Sequence, residues 1–439
     1  MVESVGKTVT AFAGYDDMEV VNPDGDGEAS GNPGWAQGHD RRKHYENNEE
    51  AQSFWARAQK MIGSDVTSML SVPVWFMEPI SVIQKMSEIM EYPFLLDRAA
   101  KADEPAERMA YVAIFGAAVY AAVERYNKPF NPILGETFQF KVGEDGQYLA
   151  EQVSHHPPIG AAHAESPLWM YDIVSCPRTK FLGNSLEVYP VGRTRIKLKT
   201  TGEEISLVPP MNKAYNLVIG SMWIDTCGKM TFKSTTGWSC VLDFIPCGLL
   251  GYSRYVVKGN VFDPEGKPML YIEGKWNESM GFCPCDADGK PVAGAERKVV
   301  WNASEKPQGD SYGFTNFVHE HLNAGGLKVL PSDSRLRPDR AALQEGNSAE
   351  AQSYKHKLEE MQRAEKKKRV GDNDTFSPRY FQLAKDYKLF EGEYKEDDVP
   401  YWTFKGDFPS EDKLVDLPEE YADKAADMYC PWQYPDMHA

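Results

Sequence analysis

"EQVSHHPPIGAAHAE", residues 151–165, sets two histidines side by side and follows them at once with two prolines. Adjacent residues on a strand point to opposite faces. His155 and His156 can therefore serve one ligand only where the strand ends or bends. Pro157 and Pro158 provide such a place, because each lacks an N–H and fixes φ, so a regular ladder is not expected to continue through them. Upstream, "GEDGQ" reads as a hairpin turn. With Asp145-Gly146 as a two-residue tip, Glu136 is expected opposite His155 and Asn131 just beyond. "KPFNPILGETF", Lys128 to Phe138, is then carried alongside the histidines. Lys128, Asn131, His155 and His156 form a donor cluster of one ammonium, one amide and two imidazoles, which suits a many-oxygened anion such as a phosphate.

Three other readings of the pair stand beside this one. The histidines could ligate a metal, although no third ligand lies at useful spacing. Ser154 could be a nucleophile activated by a histidine, although the strand-to-helix elbow and flanking glycines are missing. Both imidazoles could also be plain hydrogen-bonding groups at a strand end.

A second basic feature lies at "YKHKLEEMQR". Lys355, Glu359 and Arg363 recur at i, i+4 and i+8 and so line one helical face. The plain reading is a solvated face with ordinary ion pairs. The sharper one has Lys355 and Arg363 reaching a phosphate while Glu359 holds them apart or binds a hydroxyl. "KKKR", Lys366 to Arg369, could extend this face towards an anionic membrane.

Around these features, 439 residues allow one large domain or two to three ordinary ones. With 48 Lys+Arg against 65 Asp+Glu, the chain is too acidic for broad nucleic-acid binding. Its seven scattered cysteines read as reduced thiols of a cytosolic protein. "MVESVGKTVTAFAGYDDMEVV" lacks the features of a signal peptide. "MAYVAIFGAAVYAAV", Met109 to Val123, is too short to span a bilayer and reads as a buried helix with Val112, Phe115, Val119 and Val123 on one stripe. A soluble protein with only peripheral membrane contact is expected. Residues 1–50 have the composition of a disordered extension. Helical patterns cover Ile80 to Ala100 and Glu104 to Arg125, and short alternating runs from about 130 to 301 predict one large antiparallel sheet or barrel. The chain turns helical and charged from 338 to about 405, and 406–439 reads as a tail.

Taken together these stretches resemble the oxysterol-binding protein-related family in its short form, without accessory domains. "EQVSHHPP" matches the family's fingerprint. The resemblance continues through "KPFNPILGETF", "SVPVWFMEPIS", "LVIGSMWID", "GKWNESM", "DSRLRPDR" and "KLEEMQR", and implies a lipid-binding domain over about 51–405. It implies an α+β fold, mainly β: a near-closed antiparallel barrel around an apolar tunnel, with an N-terminal lid over about 54–70 that includes Met69 and Leu70. It further implies a non-enzymatic, cytoplasmic lipid-transfer protein, peripheral to membranes or their contact sites and monomeric. Such a protein exchanges sterol for phosphatidylinositol 4-phosphate with no cofactor or metal. By the same resemblance, the head-group set falls on Lys128, Asn131, His155, His156, Lys355, Glu359 and Arg363. "SVPVWFMEPIS" and "PAERMAYVAIF" look more like sterol-handling than phosphatidylserine-handling members. A sensor or scaffold that binds without moving lipid is the rival reading.

Overall fold

A computed structural model describes residues 56–64, 72–218, 222–248, 253–322, 328–384, 400–416 and 429–433. Met69 and Leu70, with the rest of the expected lid beyond residue 64, and the N-terminal extension lie outside the described residues. Residues 56–64 begin with a helical turn that sets Ala58 against Phe181, Leu217 and Met222.

A short parallel pair, β1 (Met77–Ser81) and β2 (Lys128–Phe130), precedes the main sheet. That sheet comprises β3 (Thr137–Val142), β4 (Gly146–His155), β5 (Pro158–Glu165), β6 (Trp169–Ser175), β7 (Arg178–Phe181) and β8 (Ser185–Tyr189). It continues with β9 (Gly192–Leu198), β10 (Glu204–Val208), β11 (Met211–Tyr215), β12 (Trp223–Ser234) and β13 (Ser239–Phe244). The last three strands are β14 (Val256–Phe262), β15 (Pro268–Lys275), β16 (Ser279–Pro284) and β17 (Lys298–Asn302). Every neighbour pair in the sheet is antiparallel. The main path runs β17-β16-β15-β14-β13-β12-β10-β9-β6-β5-β4-β3, with β11, β8 and β7 branching from β12. Among the described residues no pairing joins β17 to β3, so the sheet of the expected near-closed barrel is not closed.

Helices pack on one face of the sheet. Ser81 caps α1 (Val82–Met86) through a reciprocal box with Gln84. After a 3-10 turn, Pro93 marks the break before α2 (Phe94–Lys101). α3 (Pro105–Ala118) starts with proline in its first turn, where a missing N–H costs nothing. Every residue from Met109 to Ala118 is buried. The predicted apolar stripe is thus an apolar cylinder, packed against β13 to β17. It ends at Ala118 in a 3-10 turn, and Val119 and Val123 beyond it are partly buried against the same core as Val112 and Phe115.

Two core clusters meet across β4. Tyr148 and Ala150 face the helix-filled core, while Leu149 and Val153 face Tyr380, Phe381 and Tyr401 from the C-terminal part. Pleat alternation accounts for the division. The residues read as a tail are partly built into the fold, since Tyr429 and Trp432 are buried against Ile133, Val329 and Leu358.

The β3–β4 turn differs from the expected one. Val142 pairs with Gly146 and Thr137 with Glu151, leaving a three-residue loop, Gly143 to Asp145. Gly143 takes the left-handed conformation, φ 59°. Gly146 is needed for closeness instead, because a Cβ there would lie 2.5 Å from the Val142 carbonyl. The register therefore sets Glu136 beside Gln152, whose N–H donates to the Glu136 carbonyl at 2.8 Å. Glu136 does not face His155.

Gly116 lets α3 sit directly on the sheet, since a Cβ there would stand 3.0 Å from the Phe232 ring and 3.3 Å from Leu207. Gly116→Leu is expected to lose about 1–3 kcal/mol by overpacking, read as a lower denaturant midpoint. An unchanged or raised midpoint would show that α3 has slack against β12.

Candidate functional site

β4 ends at His155 and β5 begins at Pro158, with these two residues paired across the turn. The His156–Pro157 bond is cis, as in a type VI turn. The prolines therefore reverse the chain within the sheet rather than end it. Reversal brings the imidazoles together, with ring centroids 4.6 Å apart at 75°. The Ser154 hydroxyl donates to the Pro157 carbonyl at 2.7 Å. That contact engages the hydroxyl with backbone rather than with an imidazole base.

The Asn131 loop is held from below by Arg337, whose Nη1 donates to the Asn131 carbonyl and to Glu136 Oε2, each at 2.8 Å. Asp339 takes the other edge of the same guanidinium at 3.0 and 2.8 Å. α4 (Pro338–Gln344) and α5 (Ser348–Asp372) follow. α5 is pinned at two points: Val74 N–H donates to Gln352 Oε1 at 3.1 Å, and Leu134 N–H donates to Gln362 Oε1 at 3.0 Å. The second bond sets the helix beside the Asn131 loop.

Between the loop, the histidine turn and α5 lies a cavity of about 860 Å³. Asn131, His155, His156, Lys355, Glu359 and Arg363 all line it. Lys128 sits just behind, donating to the Asn131 side-chain oxygen and, at 3.2 Å, to the Pro129 carbonyl. All seven residues implied by the resemblance are thus gathered in one place. Glu359 lies between the two helix cations, 2.7 Å from Lys355 Nζ and 3.4 Å from Arg363 Nη2. Lys355 is buried, whereas Arg363 is exposed.

Burial dominates the electrostatics. It pushes the Lys128 ammonium down to about 7, helped by the positive charges of Lys355 and Arg337. Burial likewise lowers His155 to about 4, with His156 and Lys366 adding to the effect. His156 is lowered for the same reasons, burial first and then Lys366. His155 is therefore neutral at physiological pH, and its buried Nδ1 has no hydrogen-bond partner among the described residues. Arg337, Lys355, Arg363, Lys366 and Arg369 line the cavity against the carboxylates of Glu359, Glu365 and Asp374, and a bound anion would offset the excess positive charge. Among the described residues, no three His, Cys, Asp or Glu side chains are grouped to hold a metal ion.

Lys366 lies eleven residues beyond Lys355 on α5, close to three helical turns, and so returns to the same face, as the reading of "KKKR" expected. Trp402 and Trp432 also line the cavity and escape the motif reading. They arrive from distant sequence, and no local signal announces them.

The family model for oxysterol-binding protein matches residues 53–413. Oxysterol-binding protein-related protein 3B of Arabidopsis thaliana is 41% identical over 438 residues, covering 98% of this chain and 92% of that protein. Related protein 3C of the same plant is 44% identical, over 87% of this chain and 82% of its own length. Among solved structures, the Osh1 ORD domain in complex with cholesterol matches with TM-score 0.70 and 32% identity, covering 82% of this chain and 88% of that one. The Osh3 ORD in complex with PI(4)P from Saccharomyces cerevisiae matches with TM-score 0.64 and 28% identity, over 76% and 87%. The fold and site define a lipid-binding domain of the ORD class. The chain belongs to the oxysterol-binding protein family.

The Lys128 environment has a pH consequence. A phosphate bound beside Lys128 would raise its pKa above the free value of about 7, so the protonated form would bind better. Affinity is full below pH 7 and declines as pH rises through the window between free and bound values. A soluble inositol bisphosphate should bind progressively more weakly from about pH 7 to 8.5, whereas Lys128→Arg, charged throughout, should show a flatter profile. Identical slopes in both proteins would remove Lys128 as the titrating group. The histidines are not expected to titrate there, because His155 is held near 4.

Proposed function

We propose that the protein is a non-enzymatic lipid-transfer protein that binds a phosphoinositide head group in this cavity and carries a sterol in alternation with it. The observation that carries the reading is the convergence of Lys128, Asn131, His155, His156, Lys355, Glu359 and Arg363 on one site. The neighbour structures support both ligands, one solved with cholesterol and one with PI(4)P. A further Osh1 ORD complex, with ergosterol, matches with TM-score 0.70 at 32% identity and adds weight to sterol as the second lipid.

The physical case is direct. Apolar lipid surface in water costs roughly 25 cal/mol per Å², so carriage through an aqueous phase requires enclosure. A phosphorylated head group is anionic, so its exchange requires a cationic mouth. Among the described residues no helix is long and apolar enough to cross a membrane. We place the protein in the cytosol, acting peripherally at membranes and their contact sites.

Lys355 and Arg363 give the discriminating variant. Replacing both with Ala removes two charge-assisted contacts worth roughly 1.5–3 kcal/mol each. Phosphoinositide affinity should fall by at least about tenfold, while sterol binding, stabilised by buried apolar area, stays near the wild-type value. In liposome transfer, sterol movement should then stop responding to phosphoinositide in the acceptor membrane. A double variant that responds like the wild type would leave α5 as a solvated charged face. A wild type that binds both lipids and transfers neither would be a sensor.

A further inference from the structure

Two Ser–Pro steps occur in the chain, Ser166–Pro167 and Ser377–Pro378. They differ in what holds the hydroxyl. Ser166 Oγ accepts from the Leu168 and Trp169 N–H groups at 3.1 and 3.3 Å and so closes a local turn. Ser377 is exposed, and among the described residues its hydroxyl has no hydrogen-bond partner. It lies in residues 374–378, which form neither helix nor strand. Both ends of that segment are pinned. Asp374 N–H donates to the Arg369 carbonyl at 2.9 Å, and the Arg379 and Tyr380 N–H groups donate to the Glu151 carboxylate at 2.8 and 2.9 Å. Pro378 also biases Ser377 towards the extended backbone.

The segment borders the cavity that holds the histidine pair, since Asp374, Thr375 and Phe376 line it. The residues on either side of Ser377 each touch a cation. The Arg369 guanidinium lies 5.2 Å from the centre of the Phe376 ring, and Lys405 Nζ donates to the Pro378 carbonyl at 2.8 Å. We propose that Ser377 is a phosphorylation site for a proline-directed protein kinase, and that its phosphate ester weakens the cavity's hold on an anionic head group. In the transfer, the Ser377 oxygen bonds to the γ-phosphorus of a nucleoside triphosphate and its proton passes to a base of the kinase. The bond to the β-phosphate oxygen breaks, and nucleoside diphosphate leaves. The ester carries a charge of about −1.5 to −2 and three strong acceptor oxygens. Beside Arg369 and Lys405 those oxygens have charge-assisted partners. The added charge repels a second phosphate that comes within about 8 Å, one Debye length at physiological ionic strength. A neutral sterol is not repelled. The inference rests on the head-group reading above and adds a covalent control over it.

The test treats the full folded chain with a purified proline-directed kinase and ATP, maps the phosphate by mass spectrometry, and titrates a soluble inositol bisphosphate before and after. Phosphate is expected on Ser377 and not on Ser166, whose hydroxyl is engaged by the backbone. S377A should abolish the labelling and keep probe affinity within about twofold of the wild type. The phosphorylated chain should bind the probe at least about fivefold more weakly. Phosphatase treatment should restore that affinity, and cholesterol binding should not change. A kinase that labels a peptide of residues 370–384 but leaves the folded chain untouched would overturn the site. Labelling of Ser377 that leaves probe affinity unchanged would overturn the control over the cavity. An unmodified wild type that ignores the probe would sink the head-group reading instead, while labelling blocked by S377A would still establish Ser377 as the modified residue.

Discussion

Arg337 is buried together with two carboxylates and one loop carbonyl, and the site is assembled around it. Its guanidinium binds Glu136, Asp339 and the Asn131 carbonyl at once. Glu136 also accepts from the Ile133 N–H at 2.8 Å and the Ser334 hydroxyl at 2.6 Å. Ser334 in turn lies 3.0 Å from the Ser81 hydroxyl at the cap of α1. One charged group therefore ties the start of the β3–β4 hairpin, the Asn131 loop, α4 and the N-terminal cap into a single unit. Buried pairs of this kind add little net stability, but removing one partner leaves an uncompensated charge at a cost of about 3–5 kcal/mol. The gain is placement: the loop cannot drift without breaking the network, so Asn131 and Lys128 stay opposite the histidine turn.

Placement matters because the site is electrostatically unsatisfied by design of its neighbours. Lys128 is depressed by burial and by nearby cations, and His155 is held neutral. Glu359 lies between Lys355 and Arg363 and partly offsets them. A phosphorylated head group would bring the missing negative charge. A sterol brings none and would leave the Glu359 pairs intact. On the proposed reading, two ligands with opposite demands alternate on one chain, the charged one engaging the mouth and the neutral one relying on apolar burial.

Much of this was legible in the sequence, for reasons that differ from place to place. The histidine pair and its prolines pointed to a place where the strand ends or bends, though not to a hairpin, and short alternating runs with turn residues pointed to the large antiparallel sheet. Lys355, Glu359 and Arg363 were visible because helical period is a strong signal. The hairpin register was not. "VGEDGQ" offers two glycines, and choosing between them requires knowing that Gly146 packs against the Val142 carbonyl while Gly143 makes the turn. The all-round burial of α3 was half legible, since an apolar stripe and an apolar cylinder differ only in what surrounds them. Arg337 was quoted within "DSRLRPDR" without a role, because its partners lie up to 206 residues away in sequence. Trp402 and Trp432 were hidden for the same reason.

The central claim is that one chain carries either a phosphoinositide or a sterol, never both together. Native mass spectrometry of the protein incubated with a mixture of the two lipids tests it most directly. The account predicts two populations, each with one lipid per chain, whose ratio shifts as the proportion of either lipid is changed. A stable complex holding both lipids on one chain would contradict it.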